Sequence, residues 1–388
     1  MLGWLSCFLL AFSSAAEERP HLLISAKGDV AGYADTDSVA VFTPSVESAL
    51  SSPTSGWEAG AGYLVDVVSA ASVDVVSSAT PRWEEVRHVV SAHGSYQPRT
   101  VGGNLAASIS SEPDYLSLSA SAGMLAELSE KNVVALGRYG YSLDRAGRTG
   151  TPFELYSLDL HRHTLGGGAE LVLDRSSVLT LFGDLIYETG RQEKPYRFLP
   201  LFAVNVAPEV PVGASPGLVQ QLRLPAVISE RLPTQRFRAA LSGQLRRRFD
   251  TSTLQASERL YADDWGLVAS TTDARVILNL APRIEVWPHF RFHLQSAAVF
   301  WKRAYVGTLE PSGVARVPAL RTGDRELSPL WTGTLGGGVR WYLGRESAPS
   351  SWALVAQLDG AHTSFGDALY ITQRQAVFGS LRVEARLP

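Results

Sequence analysis

The 388-residue chain is 45% hydrophobic and 19% charged, and its 35 Lys and Arg nearly balance 38 Asp and Glu, for a formal net charge of −3. That balance gives no footprint for nucleic acid, and the apolar content excludes global disorder. The single cysteine, Cys7, excludes a disulfide framework and a Cys-ligated zinc, and its loss with the first segment would also remove any thiol nucleophile.

In chain order, residues 2–12 form an apolar run too short to span a bilayer as a helix. Small residues follow at Ser13, Ser14, Ala15 and Ala16, and Glu17-Glu18-Arg19-Pro20 resumes polar sequence. The pattern predicts a signal peptide over 1–16, cleaved after Ala16, although no Lys or Arg precedes the apolar core. The remainder, 17–388, reads as a single domain. It holds no uninterrupted apolar run approaching the ~20 residues of a transmembrane helix. An exported chain of this kind is either soluble or a β-barrel.

The rest of the sequence alternates. In 114–128, Leu116, Leu118, Ala120, Ala122, Met124, Ala126 and Leu128 share one face, with Ser117, Ser119, Ser121 and Glu127 on the other. In 331–344, Trp331, Leu335, Val339, Trp341 and Leu343 oppose Thr332, Thr334, Arg340 and Tyr342. Sixteen segments are expected as strands: 22–33, 38–50, 57–68, 87–97, 100–110, 114–128, 132–144, 158–174, 177–189, 235–249, 252–263, 269–280, 289–303, 331–344, 351–363 and 371–387. Most exceed the ~5–6 residues usual in soluble sheets and match the ~9–11 a membrane strand needs. Trp331 and Trp341, ten residues apart, would stand ~23 Å apart vertically in a tilted strand, close to the ~25 Å between aromatic girdles. The expectation is an all-β, transmembrane antiparallel up-and-down β-barrel of about 16 strands, range 12–18. Tight turns at 97–99, 129–131 and 174–176 would lie on one rim. Long connections at 69–86, 145–157, 190–234 and 304–330 would lie on the other, with 111–113 as a short exception.

The polar faces carry candidate lumen-lining residues Arg138, Arg236, Arg238, Arg246, Arg291, Arg340, Glu127 and Asp184, read either as an ion-pair lattice or as a charged pore wall. The longest connection, 190–234, opens with Tyr196, Phe198, Leu199, Leu201 and Phe202. An apolar start on a loop of this length needs a cover. Folded inward, it would form a constriction with an apolar lip. His93 and Ser95 share a strand face and offer a weak base–nucleophile pair of the kind a lipid hydrolase uses. Lining the lumen is the simpler reading, and the chain is not expected to be an enzyme. His161 with His163, and His289 with His293, lack a third ligand, so neither a metal nor a cofactor is expected. They read as solvated lumen or loop residues. Asp263-Asp264 reads as a turn cap, and the triple glycines at 166–168 and 336–338 as places where strands bend.

Several strings then add up. They are Asp66 with Ser69-Ala70-Ala71-Ser72, Ser111-Glu112-Pro113-Asp114-Tyr115 with Lys131-Asn132, Leu232-Pro233-Thr234-Gln235-Arg236, Asp263-Asp264-Trp265-Gly266, and Arg291-Phe292-His293-Leu294-Gln295. In this order they resemble the bacterial outer-membrane barrel family catalogued as domain of unknown function 3570, over most of the chain after about residue 25. The resemblance implies an exported barrel in the outer membrane of a Gram-negative-type bacterium. Its partners would be membrane lipid, the barrel-assembly machinery during biogenesis, and in principle a periplasmic protein. It implies no activity. Two departures stand out: Val73-Asp74-Val75-Val76-Ser77 nearly copies Val65-Asp66-Val67-Val68-Ser69, and Arg386-Leu387-Pro388 lacks the terminal aromatic of insertion signals. The expected function is a passive pore or transport barrel of unnamed solute. The alternative is a structural or assembly scaffold.

Overall fold

The computed structural model describes residues 22–70, 83–309, 315–344 and 350–388. The expected signal peptide and the second copy of the duplicated segment lie outside the described residues. The strands are β1 (Leu23–Asp35), β2 (Val39–Ser52), β3 (Trp57–Ala70), β4 (Trp83–Tyr96), β5 (Val101–Glu112), β6 (Tyr115–Leu128), β7 (Val133–Ala146), β8 (Leu158–Asp174), β9 (Ser177–Gly190), β10 (Phe198–Phe202), β11 (Arg223–Ser229), β12 (Gln235–Arg248), β13 (Ser252–Asp263), β14 (Val268–Ala281), β15 (Ile284–Gln295), β16 (Tyr305–Val306), β17 (Thr308–Leu309), β18 (Ala315–Arg316), β19 (Leu330–Tyr342), β20 (Ser351–Phe365) and β21 (Gln373–Leu387). One short helix, α1 (Pro216–Leu222), lies between β10 and β11.

Sixteen of these strands close into one antiparallel barrel, β1–β9, β12–β15 and β19–β21, and β21 returns to pair with β1. Closure removes every unpaired edge, which is the condition a sheet must meet in hydrocarbon. The sidedness follows the alternation. Leu105, Leu335 and Leu381 are 66–69% exposed on the outer face, as are Trp331 and Trp341 at 39% and 51%. A ring of apolar side chains this exposed is tolerated only against lipid. The chain is therefore a transmembrane barrel. Among the described residues no helix is long and apolar enough to cross a membrane.

Strand ends shift by a few residues from expectation, most at 289–303, which lies instead at Ile284–Gln295. Pro288 has no N–H to give the ladder, yet the strand runs through it, opposite Gly337. Ala298, Phe300 and Trp301, which continued the apparent alternation, pack instead in a cluster at the rim. The glycines at 336–338 serve close approach rather than bending: a Cβ on Gly338 would strike the ring of Trp287. The turn Ser129–Lys131 holds three non-glycine residues at φ of 49°, 56° and 72°, closed by Asn132, whose Nδ2 donates to the Ser129 carbonyl at 2.9 Å.

One rim carries short turns, such as 129–132 and 175–176. The other carries 147–157, 191–234 and 296–329, together with the short links 36–38, 113–114, 264–267 and 366–372. We expect Leu335→Arg to destabilise the barrel by roughly 2–4 kcal/mol, the cost of a cation on the lipid face near mid-depth. Ser119, whose hydroxyl bonds Ser108 on the opposite face, should accept arginine with far less loss. Urea unfolding followed by heat-modifiable mobility measures both; equal losses would mean the faces are inverted.

Candidate functional site: a folded lid above a lattice of charge

The inner face is polar because each strand gives its second parity to it. Its charges find one another across neighbouring strands. Asp184 takes Arg138 at 2.5 Å and Arg259 at 3.6 Å. Glu188, fully buried, takes Arg162 at 2.7 Å and Arg238 at 2.5 Å. Arg162 also stands 3.5 Å from Asp144. Asp273 gathers Arg291 at 3.8 Å and Arg275 at 3.9 Å. Arg340 lies between Glu384 at 3.3 Å and Glu285 at 3.9 Å. Glu127 accepts from Gln97 at 3.0 Å and pairs with Lys131 at 3.3 Å. Arg246 takes its place on the same strand face as Arg236 and Arg238. Of the two sequence readings, this geometry is that of an ion-pair lattice.

The histidines divide. His289 bridges Asp359 at 2.8 Å and Asp273 at 3.0 Å on the inner face, and His293 bonds Thr271 and Gln295 there. His161 and His163 do not line the lumen. They share the parity of Leu165, 58% exposed, and bond the outward Tyr141 and Tyr139 at 2.8 Å each. The reason is parity: Arg162, between them, turns inward to Glu188. His93 stands 3.8 Å from Glu58, and no hydrogen bond joins it to Ser95 among the described residues.

The connection from β9 to β12 is folded. β10 pairs antiparallel with β11 and parallel with β16, which arrives from the β15–β19 connection. Ser215 starts α1 by accepting from the Leu218 N–H, with Pro216 at the first helical position. Phe202, Ala207, Val210, Ala214 and Val219 form one core, against which Leu369 and Tyr370 of the β20–β21 link pack. Leu199, Leu201 and Tyr305 form a second. Leu201 and Phe202 are wholly buried, so the expected apolar lip is instead the interior of this small unit.

Polar bonds tie the unit around the mouth. The Tyr196 hydroxyl donates to Asp114 at 2.5 Å and accepts the Thr149 N–H at 2.6 Å, reaching the β5–β6 and β7–β8 links. Glu230, nearly buried, accepts from the Lys194 N–H at 3.0 Å and the Thr322 hydroxyl at 2.5 Å, with Arg197 at 3.5 Å. Burial pushes the Glu230 carboxyl up, against the pull of Arg197 and those hydrogen bonds. Burial and the bond to Asp114 likewise raise Tyr196. Arg325 pairs with Asp37 of the β1–β2 turn, and Arg303 with Asp367. Since β5–β6 and β15–β19 stand on opposite sides of the strand order, the unit is a lid across the opening.

Between lid and rim lies a cavity of about 490 Å³. Phe198, Leu199, Trp301 and Tyr370 give it apolar walls, Lys194 and Lys302 contribute cationic ends, and Glu85 and Asp114 an acidic one. Oxygens of Glu85, Glu112 and Asp114 lie within 4.8 Å of one another, in reach of one divalent cation. Arg87 already stands 3.8 Å from Glu112 and Tyr196 already bonds Asp114.

Most of the residues singled out by sequence strings gather at this same rim, while Asn132 closes a turn of the opposite one. Arg236 pairs with Asp263 and lies 4.0 Å over the Trp265 ring. Trp265 donates to the Gln235 carbonyl at 3.2 Å, and the Asp264 N–H bonds the Phe237 carbonyl. Asp263 accepts the Leu267 N–H at 2.9 Å, which caps the turn. Gln295 donates to the carbonyls of Glu326 and Ser328. Tyr115 opens β6 beside Asp114, and Pro233 stands just before β12. Asp66, four residues short of the β3 end at this rim, accepts Thr43 at 2.5 Å and pairs with Arg87, which also reaches Glu112. What the sequence did not disclose is the lid's sheet. Its strands have five, seven and two residues, and the third comes from the next long connection. The sole signal was the compact apolar run from Phe198 to Phe202.

A family model described as Protein of unknown function (DUF3570) matches residues 153–347. No curated protein matches the chain. Among solved structures, the chain is similar to the ferric enterobactin receptor PfeA at 10% identity and a TM-score of 0.43, over 92% of this chain and 60% of that one. It is similar to the P. putida toluene transporter TodX at 11% identity and a TM-score of 0.39, over 95% and 90%. It is also similar to Pseudomonas aeruginosa OccK11 (OpdR) at 9% identity and a TM-score of 0.42, over 95% of each chain. No function carries over at such distances.

Proposed function

The chain belongs to the DUF3570 family of proteins of unknown function, and from that premise we propose that it is a gated channel of the outer membrane of a Gram-negative-type bacterium, closed at rest by its lid. The observation that carries this reading is the lid itself: a unit with its own core, seated across the mouth of a barrel wide enough for water. Its grip on the β5–β6 side passes through the hydroxyl of Tyr196 to Asp114 and Thr149. A grip through so few polar bonds can release without unfolding the barrel. The cavity beneath has the volume of sites that hold a drug-sized organic molecule. Opening would let such a molecule pass from the cavity to the lattice-lined interior.

The test is planar-bilayer recording of the purified protein. The wild type should show a low mean conductance with brief openings. Tyr196→Phe removes the bond to Asp114. Such a bond is worth about 1 kcal/mol, so the open fraction should rise roughly fivefold. Silence in the wild type and in every lid variant would reject the channel and leave the scaffold reading.

A further inference from the structure

The outer face of the barrel carries a carboxylate where lipid should be. On β13, Leu260 is 53% exposed toward lipid and Glu258 has the same parity, while Arg259 turns inward to Asp184. Glu258 stands midway along its strand. Two hydroxyls of β14, those of Ser270 and Thr272, donate to its two oxygens at 2.5 Å each. Their parity is that of Val268, 58% exposed, so they too face outward. A charged group at this depth is costly against acyl chains. Two hydroxyls held in place to receive it show that the position is built, and a built polar position on a membrane face implies a polar partner there.

The same chain offers one. On β8, His163 faces outward with Tyr139. With the Tyr139 hydroxyl donating to Nδ1, the ring carries its proton on Nε2 and presents it as a donor. His163 lies five residues below the outer end of β8, and Glu258 five below the outer end of β13, so the two stand at similar depth. β8 and β13 are three steps apart among sixteen strands, about 67° around the wall. In a closed three-fold ring, each subunit meets its two neighbours in directions about 60° apart. Between the two strands the small residues Gly167, Gly183, Ala239 and Gly243 leave a hollow flanked by the exposed Leu165, Leu185, Leu241 and Leu260, and Gly243 lies directly opposite Glu258. A hollow floored by small residues lets a neighbouring wall seat its own apolar side chains at close approach.

We propose that the β8–β13 face is the contact between copies of this chain, and that the protein is a trimer in the membrane, with Glu258 of each copy receiving the His163 Nε2–H of the next. The contact is heterologous, donor patch to acceptor patch, and the angle closes it at three. It does not depend on the channel reading, since a scaffold could assemble in the same way.

The full protein is produced in bacterial outer membranes with Glu258→Cys and His163→Cys together, and treated with a short bis-maleimide. Linked species of two and three chains should appear, and none larger. Neither single variant should link, because the two positions meet only each other. Glu258→Cys with His88→Cys, on the distant β4 beside Tyr63 of β3, should not link either. Mass measurement in mild detergent gives a second reading: the wild type should weigh three chains, and Glu258→Leu should lower that fraction at least tenfold with heat-modifiable folding intact. A monomeric wild type, a dimer linked through Glu258→Cys alone, or a ladder running past three would each overturn the proposal.

Discussion

A chain in which residues 192–231 are replaced by a short Gly-Ser closure should conduct several-fold more than the full protein. The barrel survives this change because β9 and β12 are bonded directly to each other, Thr189 opposite Gln235, with nothing of the lid in their ladder. Lost are β10, β11 and α1, and with them both cores that cover the opening. Tyr305, Leu369 and Tyr370 lose their partners but stay anchored: the Trp301 indole donates to the Asp367 carbonyl at 2.9 Å, and Arg303 pairs with the Asp367 carboxylate. Uptake of bulky solutes by cells carrying the variant should rise in parallel. Heat-modifiable mobility checks that the barrel has formed. Unchanged conductance through a folded barrel would mean that the 296–329 connection closes the mouth unaided, and the lid would lose its assigned role.

Glu188→Ala should be the most damaging single change to the wall. Its carboxylate is wholly buried and is shared by Arg162 and Arg238, which come from the strands on either side of β9. Removal leaves two guanidinium groups facing each other, of which, among the described residues, only Arg162 has a second acid, Asp144 at 3.5 Å. Breaking a buried pair this way costs about 3–5 kcal/mol, and the partial exposure of both arginines to lumen water places the result near the lower figure. Glu188→Gln keeps one of the two acceptor oxygens but turns an amide donor toward the other guanidinium and removes the charge, so it should cost nearly as much. Urea titration of refolded protein measures both. If the alanine variant matched the wild type, water would be screening the cluster and the lattice would contribute little to stability.

The strands were legible because alternation is a local property. In 114–128 and 331–344 every second residue declares its face, and parity alone sent Arg138 and Asp184 to the same side, where they meet. The same rule, applied without asking which parity Arg162 took, misplaced His161 and His163. One inward arginine between them settles their direction. Pairing was not legible. Nothing near Glu188 names Arg238 as its partner, since register across the 191–234 connection decides it. The lid was hidden for a stronger reason. The run from Phe198 to Phe202 is apolar, but the residues that cover it, Tyr305 and Leu369, come from two other connections far along the chain. A pattern spread over three segments leaves no period to read.

That dispersal fixes an order of assembly. β10 cannot complete its sheet until β16 arrives, and β16 follows β15, when most of the wall has been laid down. Tyr370 comes later still, just ahead of the strand that pairs with β1. Contacts so distant in sequence form late. We therefore expect the wall from β1 to β15 to pair before the cover is complete, with closure of β21 against β1 coming last. A chain stalled before β16 would lack β19–β21 as well as the cover, so its wall would stay unsealed and such arrested intermediates should leak small solutes.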